Sequence, residues 1–335
     1  MSGWEFAKQI IHMLITLIGI SMLIFVLSRV IPGDPVRLAL GPEASEEQVE
    51  NMRQTLGFDK PLIIQYFNLI TDIFRGKMGM STNSRRDVSK DLPEYFPATL
   101  ELVIVAMFIA ILGGVSLGVN AALNKDGLVD NINRIFAFGI ISFPQFWTGI
   151  MLQLLFSWIL GVLPFSGRLS GTPPSHITGL YLIDSLLTGN FQAFADSLKH
   201  IILPAITLSL SLNAQITRLI RANMIEEMTK DYIKVMSILG MPKTLVVYKY
   251  MLKNALTSTL TVIGLSFGFM IGNCFVVEVV FAWPGLAAYG LNAMLSTDFN
   301  GMIGVTVIVG LGVLIANFAV DLIYTYLDPR IRLER

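Results

Sequence analysis

LVIVAMFIAILGGVSLGVNAALN, residues 102–124, runs for 23 residues without Asp, Glu, Lys or Arg. The hydrocarbon core of a bilayer, about 30 Å thick, needs about 20 helical residues at 1.5 Å each. The stretch reads as a membrane-spanning helix, and that reading decides the fold class. Five further uncharged runs meet the same test: Gln9–Ser28 (20 residues), Ile135–Gly167 (33), His200–Thr217 (18), Asn254–Val277 (24) and Phe299–Val320 (22). Composition agrees: 53% of the 335 residues are hydrophobic and 14% charged, where soluble domains average about 25% charged. The expected fold is an all-α polytopic membrane protein with six transmembrane helices. Val279–Thr297 is uncharged too, but Trp283-Pro284-Gly285 near its start reads as a turn, so it is assigned to a loop, free to dip into the membrane surface.

Lys and Arg set the orientation. With the N-terminus inside, the cytoplasmic segments carry thirteen of them, seven between Arg218 and Lys253. The outer loops after the third and fifth spans hold only Arg168 and Lys199. The loop after the first span holds eight, but at about 65 residues it is a weak voter. The expectation is N-in, C-in. The first span is too long in its apolar core for a signal peptide, and no small-x-small cleavage site follows it, so it is expected to stay attached.

Three regions follow: residues 1–31 with the first helix, an extracytoplasmic helical cap over 32–96, and a five-helix core over 97–335. In the cap, Ile31-Pro32-Gly33-Asp34-Pro35 makes a rigid exit turn. Ser45-Glu46-Glu47-Gln48 is a capping box, Gly57 a plausible stop, and Pro61 suits the first turn of a second helix ending before Gly76. A lid over helix ends and a docking surface for an external partner both fit. After the third span, Ile177–Ile183 is too short to cross and is expected at the interface.

The basic stretch Arg218–Lys253 is interrupted by Leu239-Gly240-Met241-Pro242. Gly suits the left-handed position that ends a helix and Pro the first turn of the next. A short helix is expected from about Glu226 to Leu239, then a sharp bend. Tyr232, Val235, Met236 and Leu239 recur at helical spacing. Such a face packs on its own protein, lies on lipid, or enters the groove of a soluble partner; spacing does not choose between these.

The absences are as informative. Lys+Arg and Asp+Glu balance at 24 each, so nothing global draws the chain to nucleic acid. One cysteine, Cys274, excludes an internal disulfide and, with three histidines, leaves almost no room for a Cys/His metal site. No Walker-type P-loop occurs, so no nucleotide cofactor is expected on this chain. Gly114-Val115-Ser116-Leu117-Gly118 fits the nucleophile-elbow pattern literally, which raises an intramembrane hydrolase built on Ser116. That pattern needs a strand and then a turn, and the same residues satisfy Gly-x-x-x-Gly helix packing, the preferred reading. Gly264, Gly268 and Gly272 repeat the spacing in span five. Glu278, near the end of that span, and Trp283-Pro284-Gly285 form a candidate gate or structural anchor, and Asp321 sits near the end of span six.

Seven segments together carry a resemblance. They are Ile31–Pro35, Phe96-Pro97-Ala98-Thr99-Leu100-Glu101-Leu102, Leu163-Pro164-Phe165-Ser166-Gly167-Arg168, His200–Pro204, Asp231-Tyr232-Ile233-Lys234, Phe281–Leu286 and Asp328–Arg332. In this order they resemble the permease subunits of bacterial and archaeal ABC importers for dipeptides and oligopeptides, and Ile177–Leu187 resembles the dipeptide type. Nickel and glutathione permeases share most of the pattern. The resemblance implies a path-forming subunit without catalysis, in the cytoplasmic membrane, beside a second permease, two ATPase subunits that use ATP and Mg, and an external substrate-binding protein. It makes about 226–240 a coupling helix that docks an ATPase through Tyr232, Val235, Met236, Leu239 and Gly240. The family's Glu-Ala-Ala-x-x-x-Gly is matched only at Gly240, since Lys234, Val235 and Met236 occupy its lead positions.

Overall fold

The computed structural model describes residues 59–327 without a break, residues 44–55, and isolated positions between 11 and 37. Among the described residues all regular structure is helical, apart from an isolated bridge between Met80 and Asp87. The first helices are α1 (Glu46–Thr55), α2 (Leu62–Phe74), α3 (Val88–Leu123), α4 (Leu128–Ser142) and α5 (Gln145–Leu152). There follow α6 (Tyr181–Leu187), α7 (Phe191–Met228), α8 (Asp231–Ile238), α9 (Leu252–Val280), α10 (Leu286–Leu295) and α11 (Phe299–Leu327). Alpha-helix α5 continues into a π-helical turn, Gln153–Ile159, and α9 is entered through Lys243–Leu245 and a second one, Val246–Met251. Among the described residues, three segments are long and apolar enough to cross a membrane: α3, α7 and the Val262–Val280 part of α9. Shorter apolar helices are α2, α10 and the Phe299–Ile315 part of α11.

The chain divides into two units, Met1–Thr99 with Pro284–Leu314, and Leu100–Trp283 with Ile315–Arg335. In the first, Ser45 and Gln48 form the expected capping box at the start of α1: Gln48 N–H donates to Ser45 Oγ (3.3 Å) and Ser45 N–H to Gln48 Oε1 (3.0 Å). Pro61 precedes α2, and Gly76 at φ +75° follows it, a conformation that favours glycine. The Tyr66 hydroxyl donates to the Ile18 carbonyl (2.9 Å), and its ring lies 5.4 Å from that of Phe25. Val88, Leu92, Leu286 and Tyr289 form an apolar core. Beside it Ser81 donates to buried Asp298, and Leu286 N–H donates to Thr99 Oγ1 (2.8 Å). Most of Gln9–Ser28, the turn Ile31–Pro35, Gly57 and Asp328–Arg332 lie outside the described residues, as does the side chain of Asp321.

The second unit is organised around α7, against which α4, α5, α6 and α9 pack. Glycines let α3 approach it. A Cβ at Gly114 would lie 2.7 Å from Ile216 Cβ, and one at Gly118 2.7 Å from Ile220 Cβ, closer than side chains tolerate. Forcing extra carbon into such a contact costs typically 1–3 kcal/mol. Gly118→Val is expected to lower the yield of monodisperse protein on size exclusion. A Cβ at Gly272 meets nothing within 4 Å, so Gly272→Ala should leave that yield unchanged.

Two expectations need correction. The run Ile135–Gly167 is not one helix: α4 ends at Ser142, Phe143 is extended (φ −95°, ψ 139°), and α5 starts after Pro144. Proline lacks an N–H and pushes the residue before it out of helical conformation. The segment assigned to a loop after Trp283 contains α10, ten residues long. At 1.5 Å per residue it spans about 15 Å, too short to cross a bilayer.

Candidate functional site

The bend after α7 is built locally. Thr229 Oγ1 donates to the Glu226 carbonyl (2.7 Å), Lys230 turns extended (φ −73°, ψ 142°), and α8 begins at Asp231. The short helix therefore starts five residues later than expected, because Glu226 to Met228 belong to α7. Its end is a Schellman motif. Gly240 has φ +70°, Met241 N–H donates to the Met236 carbonyl (3.1 Å), and Gly240 N–H donates to that of Ser237 (3.1 Å). A side chain at Gly240 is strained by that dihedral even though the space around it is open.

The four side chains expected on one face of α8 do not share one exposure. Tyr232 turns back: its hydroxyl donates to Glu227 and accepts from Asn254 Nδ2 (2.9 Å). Burial and the Glu227 carboxylate push its phenol above the ordinary range. Ile233 is buried and Met236 half-buried. Val235 (53% exposed), Ile238 (83%) and Leu239 (73%) point outward. Ile238, absent from the sequence reading, is the most open apolar side chain of the helix, and its place three residues after Val235 is the signal that marks it.

At the other end of the second unit's α3, Glu101 and Arg168 form a buried pair, 5% and 6% exposed. Arg168 Nη2 and Nε donate to Glu101 Oε2 at 2.6 and 3.0 Å, and Nη2 also donates to the Gly179 carbonyl (2.8 Å). The second carboxylate oxygen accepts Leu182 N–H (2.7 Å). The guanidinium lies 3.7 Å from the centre of the Tyr181 ring and 5.9 Å from that of Trp283. Asp184 closes the preceding turn, accepting N–H bonds from Ile177, Thr178 and Gly179 and the Thr178 hydroxyl. Burial raises its pKa, but these bonds outweigh that and hold the carboxyl below its ordinary range. The segment expected at the interface is tied to α3 by these bonds. Gln153 adds a brace, its amide donating to the carbonyls of Phe165 (2.8 Å) and Val280 (3.1 Å), while Gly167 N–H donates to that of Phe281 (2.9 Å). These bonds tie the loop to the end of α9.

Glu278 is fully buried in the second unit, and its carbonyl accepts Trp283 N–H (2.8 Å), closing the turn at the end of α9. Trp283 is buried there too, whereas Pro284 and Gly285 belong to the first unit, where Gly285 caps α10. Of the glycines on α9, Gly264 is buried, Gly268 half-buried and Gly272 exposed. Ser116 sits on the exposed side of unbroken α3, without the strand and turn that a nucleophile elbow requires. Among the described residues no group of three or more His, Cys, Asp or Glu is placed to hold a metal ion.

Comparison with known proteins places this arrangement. Residues 114–333 match the family model described as binding-protein-dependent transport system inner membrane component, and residues 5–103 match the model for the N-terminal part of such components. The probable D,D-dipeptide transport system permease protein of Escherichia coli (strain K12) is 40% identical over 99% of this chain and 98% of that protein. The dipeptide transport system permease protein of Alkalihalophilus pseudofirmus is 35% identical over 97% and 98%. The glutathione transport system permease protein of Salmonella typhi is 33% identical over 97% of each. Among solved structures, a chain of the methionine ABC transporter MetNI in inward-facing form superposes with a TM-score of 0.51 at 16% identity, covering 69% of this chain and 93% of that one. That likeness speaks for the fold. The chain belongs to the family of binding-protein-dependent transport system inner membrane components: it is a multi-pass permease subunit of an ABC transporter.

Proposed function

We propose that this subunit forms one half of the path by which an ATP-driven importer admits short peptides. D,D-dipeptides, dipeptides and glutathione, itself a tripeptide, are the substrates in the names of its relatives, which supports that class. Six spans run N-in and C-in, with 1–31 entering the membrane, 32–96 as an outer cap and 97–335 as the core. A second permease completes the path, an extracytoplasmic binding protein delivers the peptide, and two ATPase subunits use ATP and Mg. The chain itself performs no covalent chemistry.

The observation that carries the reading is α8: a short helix held at both ends, with Val235, Ile238 and Leu239 exposed. ATPase closure pushes α8 and, through the Tyr232–Glu227–Asn254 bonds, moves α7 and α9 together between inward- and outward-facing states. The Glu101–Arg168 cluster holds the outer end rigid during that motion, with Glu278 and Trp283 as an anchor.

Labelling tests the topology on which this rests. With buried Cys274 replaced by Ala, cysteine at exposed Asn83 is expected to react with an impermeant maleimide in intact cells, and cysteine at exposed Thr229 only after lysis. Labelling of Thr229→Cys in intact cells would place α8 outside and end the coupling role.

A further inference from the structure

Near the C-terminal end of α7 a cavity of about 170 Å³ opens between α3, α4 and α7. Its walls include the small side chains of Ala121, Ala137 and Ala214, and its rim carries Arg134, Arg218 and Arg221. Arg221 is engaged: its Nε and Nη2 each donate to Asp130 at 2.6 Å, and Asp130 is fully buried. The Arg221 hydrogen bond foremost, together with the Asp126 N–H and the charge of Arg134, holds the Asp130 carboxyl down to about 2, so it stays anionic across the physiological range. Asp126, on the turn before α4, is exposed and also acts on Arg221. Arg134 and Arg218 are exposed and have no hydrogen-bond or ion-pair partner among the described residues.

The rim therefore presents three guanidinium groups against one buried carboxylate and one exposed one. Asp130 fixes the direction of the third guanidinium, and the other two are available to a ligand. Guanidinium groups bind phosphate oxygens through paired, charge-assisted bonds. Four alanines leave the walls largely apolar; of the two polar side chains there, Asn133 is half-buried and Thr217 already donates its hydroxyl to the Asn213 carbonyl (2.8 Å). Next to the rim, α4 exposes Ile132, Ile135 and Phe136. A ligand with a phosphate at one end and apolar chains at the other satisfies both surfaces, and basic pockets between membrane helices recognise anionic headgroups in this way. We propose that Arg134 and Arg218, with Arg221 oriented by Asp130, form a binding site for the phosphate headgroup of an anionic membrane lipid.

The transporter complex, purified and delipidated in neutral detergent, provides the test. Phosphatidylglycerol, phosphatidylcholine or inorganic phosphate is added back, and bound lipid is read by native mass spectrometry beside the thermal midpoint. Phosphatidylglycerol is expected to be retained in preference to phosphatidylcholine and to raise the midpoint. The double variant Arg134→Gln/Arg218→Gln should weaken phosphatidylglycerol binding about tenfold or more. Its lipid-free midpoint should change little, because neither side chain has a hydrogen bond to lose and Asp130, though it loses the nearby charge of Arg134, keeps both bonds to Arg221. If the double variant assembles poorly, Arg218→Gln alone should show a smaller loss, with Arg218→Lys in between. Inorganic phosphate protecting as well as phosphatidylglycerol would overturn the lipid assignment in favour of a free anion. Equal phosphatidylglycerol binding by wild type and variants would overturn the site itself.

Discussion

Ile238→Asp is expected to strip the ATPase subunits from the purified transporter while leaving the permease folded. Ile238 is 83% exposed in the isolated chain, so the substitution removes almost nothing from its own packing. In an ATPase groove, burial of that side chain is worth roughly 1.5–3 kcal/mol, and an aspartate adds a desolvated charge. Each 1.4 kcal/mol is a factor of ten, so affinity should fall by about tenfold to a hundredfold or more. Leu239→Asp should behave alike. Met236→Asp is the contrast: Met236 is half-buried, so its charged replacement should lower the yield of folded permease instead of selectively releasing the ATPase. Pull-down of ATPase on tagged permease, normalised to permease by size exclusion, separates the two patterns. Full ATPase retention and full uptake in Ile238→Asp would remove α8 from the coupling path.

Arg168→Met is the second large effect. It leaves the Glu101 carboxylate buried beside Tyr181, with only the Leu182 N–H on its other oxygen. Removing one member of a buried pair costs about 3–5 kcal/mol, a large share of a typical stability of about 5–15 kcal/mol. The thermal midpoint of the complex should drop sharply. Arg168→Lys should recover little, because a single ammonium cannot reproduce the fork to Glu101 and Gly179 together with stacking on Tyr181. The double change Glu101→Gln/Arg168→Met removes both charges and should lie closer to wild type than Arg168→Met alone. An unchanged midpoint in Arg168→Met would show that the cluster is not what pins 168–184.

Charge-free runs locate apolar helices well, because an acid or base at a helix centre costs roughly 2.5–3.5 kcal/mol on insertion scales and sequences avoid it. Helices α3, α7, α9 and α11 lie on such runs. The same logic is blind to backbone breaks inside a run, so the Phe143-Pro144 interruption and the start of α10 escaped a reading based on charge. Local chemistry was legible where it involved neighbours: the Ser45–Gln48 box and the Gly240 cap needed only adjacent residues. Tertiary partners were not. Periodicity grouped Tyr232 with Val235, Met236 and Leu239 without saying what that face meets, and Asn254, 22 residues away, draws the Tyr232 hydroxyl inward. Glu101 and Arg168 stand 67 residues apart, each at the edge of an uncharged run, where a charge count treats them only as boundaries.

The most direct measurement is uptake by proteoliposomes carrying both permeases and the ATPases, with the binding protein and a mixture of labelled L,L- and D,D-dialanine outside. ATP is supplied on the ATPase face. Accumulation is expected only when this subunit, ATP and the binding protein are all present, and it should be lost in Ile238→Asp. Undiminished accumulation when this subunit is left out would contradict its place in the path.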